Sequence, residues 1–287
     1  MRRCLSCGAS HTVSGWRCPR CGWEPPRQQG FPLFAPELAN AGEGVSYQRE
    51  ALERAEDIHF WFRSRRKLLR WCFDIHLPDA RRFLEIGCGS GAILAALAKD
   101  RTGLSLTASE LLIDRLPAVR NRLPNAELVQ MDAQRIPFRA HFDGAGAFDV
   151  LEHIPDDGAA LEEIHAVLQP GGLLLLTVPQ HPWLWSSVDE YSGHQRRYTA
   201  AELRAKLRAA RFEIVWMTSF VTLLLPALLA SRRAARVRET LDPVSELRLP
   251  RSVDFAFDKV MALERTLIRW GICLPVGGSL LVVSRRR

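Results

Sequence analysis

Glu85-Ile86-Gly87-Cys88-Gly89-Ser90-Gly91 follows a short apolar run, Arg82–Ile86, and opens an Ala/Leu-rich stretch, Gly91–Lys99. An apolar run, a glycine-rich turn and then a helical pattern predict a strand, a tight turn and a helix whose first N–H groups point at the turn. Glycines let the backbone approach a ligand closely, and a helix N-terminus offers free donors to it. Gly87, Gly89 and Ala92 satisfy the Gly-x-Gly-x-x-Gly/Ala fingerprint of nicotinamide cofactors. The acidic Glu85 before the first glycine and the third glycine at Gly91 suit a second cofactor class, so the turn alone leaves both open.

Outward from the turn, strand and helix patterns alternate. Leu104–Ser109, Ala126–Gln130, Phe142–Phe148, Leu173–Val178 and Phe212–Trp216 read as strands, the fourth of the whole series being small and Gly-rich. Leu111–Arg122, Asp156–Leu168 and Thr199–Ala210 read as helices, the last opened by Thr199 with Glu202 three residues on, as in a capping box. Tyr47 to about His76 is also helical in pattern. Alternation of this kind predicts an α/β fold: a Rossmann-like, seven-stranded, mostly parallel sheet with helices on both faces. Gly278–Ser284 supplies the last strand, and residues 219–272 before it read as a helical insertion. Within it Val253, Phe257, Val260, Leu263, Leu267 and Trp270 fall at helical spacing.

Acidic residues stand at the predicted strand ends. Glu110 ends the second strand, where a carboxylate can accept both hydroxyls of a ribose. Asp132-Ala133 follows the third, where a carboxylate can accept an adenine amino group. Asp149 stands at the exit of the fourth, in Phe148–Asp156, and a Pro170-Gly171-Gly172 turn precedes the fifth. As a set, residues 59–216 resemble the class I S-adenosylmethionine-dependent methyltransferases of the small-molecule type, which include the quinone-biosynthesis methyltransferases. That resemblance implies S-adenosylmethionine as cofactor. It implies Glu85 near the methionine amino group, with Gly87, Cys88, Gly89 and Gly91 lining methionine and ribose. It further implies Glu110 on the ribose, Asp132 and Ala133 on adenine, and Asp149 at the amino-acid end. His59–Arg63 resembles the lead-in of one subgroup, in which Trp61 covers the cofactor and Arg63 meets its carboxylate. His153 and His194 are the candidate general bases, one directly after the fourth strand and one in the loop Asp189–Thr199.

At the N-terminus, Cys4-x2-Cys7 and Cys18-x2-Cys21 lie ten residues apart, each pair followed by a glycine. Two such knuckles suit a closed tetrahedral thiolate site for structural Zn2+. Residues 1–26 are therefore expected to be a zinc ribbon, 27–45 a Pro/Gly-rich linker, and 46–287 the methyltransferase domain.

Composition sets the remaining expectations. The chain has 287 residues and a net charge of +7, carried almost wholly by arginine. A balance of that size permits an anionic partner without requiring one. No apolar run reaches the length of a membrane span, and seven cysteines with no secretory leader point to a reducing, cytoplasmic setting. The apolar, Arg-flanked insertion suggests a small-molecule or lipid-like acceptor (lipid, quinone or secondary metabolite) and peripheral membrane contact through 219–240. The ribbon also resembles that of ribosomal-RNA guanine methyltransferases, which makes RNA the alternative acceptor. A non-catalytic scaffold built around the ribbon is the third reading.

Overall fold

The computed structural model describes residues 1–40, 56, 58–237 and 249–287, with the backbone alone for 233–237. Of the expectations above, the start of the Tyr47 helix, the end of the linker and the stretch 238–240 lie outside those residues.

Seven strands form one sheet: β1 Arg82–Ile86, β2 Ser105–Glu110, β3 Glu127–Gln130, β4 Phe142–Phe148, β5 Leu168–Pro179, β6 Phe212–Phe220 and β7 Ser279–Arg286, in the order β6-β7-β5-β4-β1-β2-β3. The first five pair in parallel, and β7 runs antiparallel to both β5 and β6. The expected Rossmann-like, mostly parallel sheet is therefore present. Its central strands are buried on both faces, which is why Phe83-Leu84 of β1 and Leu173–Leu176 of β5 are apolar without alternation.

The helices are α1 Phe60–His76, α2 Ala92–Ala98, α3 Leu116–Arg122, α4 Asp157–Val167, α5 Ser187–Tyr191, α6 Ala200–Ala209, α7 Leu225–Val237 and α8 Arg251–Arg269. Thr199 and Glu202 form the predicted capping box of α6. β4 is Gly-rich for a steric reason. A Cβ on Gly144 would stand 2.6 Å from Leu77 Cδ1 and 2.9 Å from Phe83 Cδ2, so the end of α1 can pack on the sheet only where side chains are missing.

Three expectations need correction. β6 runs on to Phe220 and pairs there with Ser279, so the insertion spans 221–278 and both its ends sit at one end of the β6/β7 hairpin. The helix expected from Leu111 begins as a 3-10 turn, Ile113–Arg115, because Pro117 lies at the start of α3. Residues 27–40 are no free linker. Phe31, Leu33 and Phe34 are buried, Leu33 pairs in parallel with Gln130 of β3, and Phe34 N donates to Gln130 O at 2.8 Å. Proline and glycine mark the turns of this strap, while its aromatic and aliphatic residues cover the sheet edge.

The cysteine segment packs on the same region. Leu5 and Trp16 belong to the core of the large domain, and the Trp16 ring lies 4.6 Å from Phe34 and 5.3 Å from Phe138. Among the described residues no helix is long and apolar enough to cross a membrane.

Candidate functional site

A cavity of about 770 Å³ opens at the C-terminal ends of β1, β4 and β5. The order of the parallel strands reverses at β1, and open α/β sheets bind ligands in such a crevice. Glu85, Gly87, Cys88 and Gly89 line one wall, and Phe148, Asp149 and Glu152 line the next. Trp61 and Arg65 of α1 close a third side; His194 and Arg197 enter from the loop after α5. Leu224, Ala227, Leu228 and Phe257 of the insertion complete an apolar wall.

Glu85 is 1% exposed, and its Oε2 has no hydrogen-bond partner. Burial pushes its carboxyl up to about 8, against the opposing pull of Arg65. Such an orphaned carboxylate beside a cavity fits a cationic group arriving from a ligand. Gly87 has φ +64°, and a Cβ there would meet Val150 Cγ2 at 2.7 Å. Gly89 has φ +55° and open space around it. The turn is thus a cradle that β4's exit loop presses from behind and the cavity opens in front.

Glu110 is buried at the end of β2, where Oε2 accepts from Gly89 N at 2.9 Å and Oε1 from Leu111 N at 3.0 Å. It holds the turn's backbone without lining the cavity. Gly91 also lies outside the lining: it starts α2 at φ +75°, and a Cβ on it would press Val119 at 3.1 Å. Asp132 closes a local turn by accepting from Gln134 N at 2.9 Å, while Ala133 is buried in the core; neither reaches the cavity lining.

Trp61 and Arg63 part company. Trp61 lines the cavity, but Arg63 Nη2 pairs with Asp254 Oδ2 of α8 at 2.8 Å. Arg65 occupies the cavity instead, with Nη2 2.5 Å from Asp149 Oδ2 and its guanidinium 5.1 Å from the centre of the Trp61 ring. Two residues advance a helix by about 200°, so only one of these arginines can face the sheet. Asp149 itself sits at φ +56°, uncommon for a non-glycine residue and often found where a site holds its backbone under strain.

At the opposite wall His194 Nδ1 lies 2.9 Å from Asp189 Oδ1, and Arg197 Nε reaches the same oxygen at 2.7 Å. Burial raises the Asp189 carboxyl, but hydrogen bonds from His194 and Arg197 outweigh it and hold the group well below the usual carboxylate range. The His153 ring stands 4.8 Å from that of His194, edge to face. His153 keeps an exposed edge outside the cavity lining, and desolvation of its ring, followed by repulsion from His194, pushes it down to about 4. Glu152 is wholly buried and neither carboxylate oxygen has a hydrogen-bond partner. Its burial, with the Asp149 charge, raises it well above the ordinary range. Glu152, His153 and His194 bring ligand-type atoms within 4.8 Å of one another, a set that a divalent cation could share.

Asp189 and Arg65 were not among the residues expected from the sequence, and neither had a signal beyond its type. Glu152, which the strand-exit motif offers as a partner for the His153 ring, is instead buried without a hydrogen-bond partner.

The four cysteines meet as predicted. The Sγ atoms of Cys4, Cys7, Cys18 and Cys21 lie within 4.8 Å of one another, with Cys4–Cys21 and Cys7–Cys18 both at 3.7 Å. Tetrahedral zinc with Zn–S bonds near 2.3 Å requires sulfurs roughly 3.8 Å apart. The donor set and spacing fit that ion.

Known proteins agree with this architecture. The family model described as "Methyltransferase domain" matches residues 47–216. A ubiquinone biosynthesis O-methyltransferase of Paracidovorax citrulli is 28% identical over 109 residues, 36% of this chain and 46% of that protein. A probable S-adenosylmethionine-dependent methyltransferase of Mycolicibacterium smegmatis is 28% identical over 162 residues, 54% of this chain and 60% of that protein. The chain spans about half the length of the curated relatives it matches. Among solved structures, a S-adenosylmethionine-dependent methyltransferase of Thermotoga maritima, described as a possible histamine N-methyltransferase, superposes with a TM-score of 0.54 at 16% identity, covering 85% of this chain and 98% of that one. The cyclase SpnF superposes at 0.53 and 21% identity, covering 76% and 79%. At these identities the two structures speak for the fold alone.

Proposed function

The chain belongs to the methyltransferase-domain family, and we propose that it transfers a methyl group from S-adenosylmethionine to a small or hydrophobic acceptor. One observation carries this reading. A single cavity joins the glycine cradle and the orphaned Glu85 to an apolar wall supplied by the insertion. The names of the two sequence relatives, one acting in ubiquinone biosynthesis, support the same class of reaction.

When bound, the cofactor supplies the activated sulfonium methyl, and the protein's task is alignment and exclusion of water. Glu85 neutralises the methionine ammonium. Gly87, Cys88 and Gly89 bring their backbone against methionine and ribose. Arg65, held by Asp149, takes the carboxylate role that Arg63 cannot fill, and Trp61 covers the amino-acid end. Glu110, Asp132 and Ala133 keep the adenosine end in this reading, at adjacent strand exits beyond the lined cavity. Asp189 fixes the His194 ring through Nδ1, which leaves Nε2 to take a proton from a hydroxyl or amine acceptor. His153 stands behind His194 as its neighbour. Zinc on Cys4, Cys7, Cys18 and Cys21 holds the N-terminal segment and takes no part in transfer.

The RNA alternative has less to stand on. Arg2 and Arg3 of the ribbon are spent on Glu127 and Glu163 at 2.7 and 2.9 Å, holding it to the domain. Calorimetry with S-adenosylmethionine and NAD, then methyl-transfer assays on phenols, quinols and lipids, test the proposal. Cofactor binding and turnover on an apolar hydroxyl acceptor are expected. Binding of NAD alone would sink it.

A further inference from the structure

Helix α8 carries its own division of residues. At 100° per residue, Arg251, Phe255, Lys259, Leu263, Arg269 and Trp270 fall within about 120° of its circumference. All six are exposed, Phe255, Leu263 and Trp270 by 63, 56 and 76%. The opposite side is used: Met261 and Ile268 are buried in the core, and Glu264 accepts from the backbone N–H of Val221, Thr222 and Leu223 at 2.6–2.8 Å.

Charge is sorted in the same way. All three acidic residues of α8 turn inward or sideways, with Asp254 and Asp258 facing Arg63 at 2.8 and 3.7 Å and Glu264 buried. The outward face keeps only basic charge, on Arg251, Lys259 and Arg269. The apolar strip continues past the helix through Ile272 and Val276, both exposed. Thr222 Oγ1 donates to Val276 O at 2.5 Å, which brings the exposed Leu223 near Val276. Leu224, the next residue, lines the cavity.

We propose that the outward face of α8, with Ile272, Val276 and Leu223, seats the protein on an anionic lipid bilayer surface. Large apolar side chains flanked by cations alone are the composition of an interfacial helix, and tryptophan favours the headgroup level. Anionic headgroups complement a face from which every carboxylate has been withdrawn. Apart from Leu223, the surface lies outside the stretch 219–240 expected from sequence, where Leu224, Ala227 and Leu228 line the cavity. Continuity from Leu223 to Leu224 gives an apolar acceptor a short path from lipid to cavity. This last point rests on the hydrophobic-acceptor reading; lipid binding itself does not.

Flotation of the full chain, without cofactor or acceptor, separates the two. Vesicles of phosphatidylcholine with phosphatidylglycerol should carry the protein, pure phosphatidylcholine vesicles far less, and high salt should release much of it. Leu263→Glu with Trp270→Glu should cut flotation at least about tenfold. Circular dichroism and thermal unfolding check that this variant folds. Arg251→Glu, Lys259→Glu and Arg269→Glu together, which keep the apolar strip, should abolish the preference for anionic lipid. The proposal is overturned if the wild type does not float on anionic vesicles, or if both variants float as the wild type does. It is equally overturned if the wild type sediments as a dimer that the Leu263/Trp270 variant breaks, with no lipid binding: the face would then cover a second copy.

Discussion

Asp189 holds His194 from behind: Nδ1 of the histidine lies 2.9 Å from Oδ1 of a fully buried carboxylate that Arg197 Nε also reaches at 2.7 Å. Ser186 N, at 2.9 Å, satisfies the other carboxylate oxygen. If the imidazole turned, the buried carboxylate would keep Arg197 and Ser186 but lose one of its hydrogen bonds, a loss that is costly in a dry site. Orientation and tautomer are set together, and the nitrogen left for chemistry is Nε2.

His194→Ala should lower kcat by about 10²–10⁴, the usual worth of a general base, with little change in cofactor affinity. Asp189→Asn should lower kcat less, since the amide keeps the volume and one acceptor. His153→Ala should cost far less than either. Steady-state kinetics beside cofactor calorimetry checks this. Full activity in the His194 variant would remove it as the base.

Glu85 predicts the pH dependence of cofactor binding. Its carboxyl is raised to about 8, so the unliganded protein holds it protonated at neutral pH. A cationic ligand needs the ionised form, so affinity should rise with pH up to about 8 and then level. Linkage gives the sign for stability: the unfolded chain ionises near the ordinary value, and the folded one does so only near 8. The protonated group's contribution is full below the unfolded value and is lost as pH rises towards 8. Glu85→Gln should then melt higher than wild type at alkaline pH without ligand, yet bind S-adenosylmethionine at least about tenfold more weakly. Melting curves and titrations from pH 6 to 9 read both, and a pH-independent affinity would count against the ammonium role.

Much of this was legible in the chain. The seven strands follow from apolar runs of the right length, and the cysteine site from spacing alone. What escaped depended on contacts between distant segments. Arg63 and Arg65 share a helix and a type, and only the placement of Asp149 and Asp254 decides which faces the cavity. The strap 27–40 has a linker's composition, but an open sheet edge at β3 gives its aromatics somewhere to go. β6 seemed to end at Trp216 because the polar pair Thr218-Ser219 interrupts the apolar pattern before Phe220. Asp189 has no signal of its own in the sequence, and only the folded loop brings His194 and Arg197, five and eight residues on, against it.

The two cradle glycines should fail in different ways. Gly87→Ala places a methyl on Val150 at 2.7 Å and on a left-handed backbone, so the protein should lose about 1–3 kcal/mol and the cofactor together. Gly89→Ala meets no protein atom, and its cost to the fold should be the smaller, from backbone strain alone. Its methyl projects where a ligand would lie, so cofactor affinity should still fall. Melting temperature and affinity, measured on both, separate the two effects; equal destabilisation would contradict the geometry.

Metal removal should reach far beyond the ribbon. The segment's own core is small, so zinc held by the four thiolates would supply most of its folding free energy. Its Leu5 and Trp16, however, are also core residues of the large domain, and Arg3 grips Glu163 across the junction, a carboxylate that Arg139 of the large domain also holds. Loss of the metal frees Trp16 from Phe34 and Phe138 and uncovers the edge strap that those rings pin. A chelator, or Cys18→Ser, should therefore release the bound zinc, shift tryptophan fluorescence to the red, and lower the melting temperature of the whole domain by about 5–10 °C, the equivalent of a few kcal/mol at this size. An autonomous ribbon would behave otherwise, with the metal leaving while the domain's transition stayed where it was. Scanning calorimetry with zinc quantified in the same samples distinguishes the two.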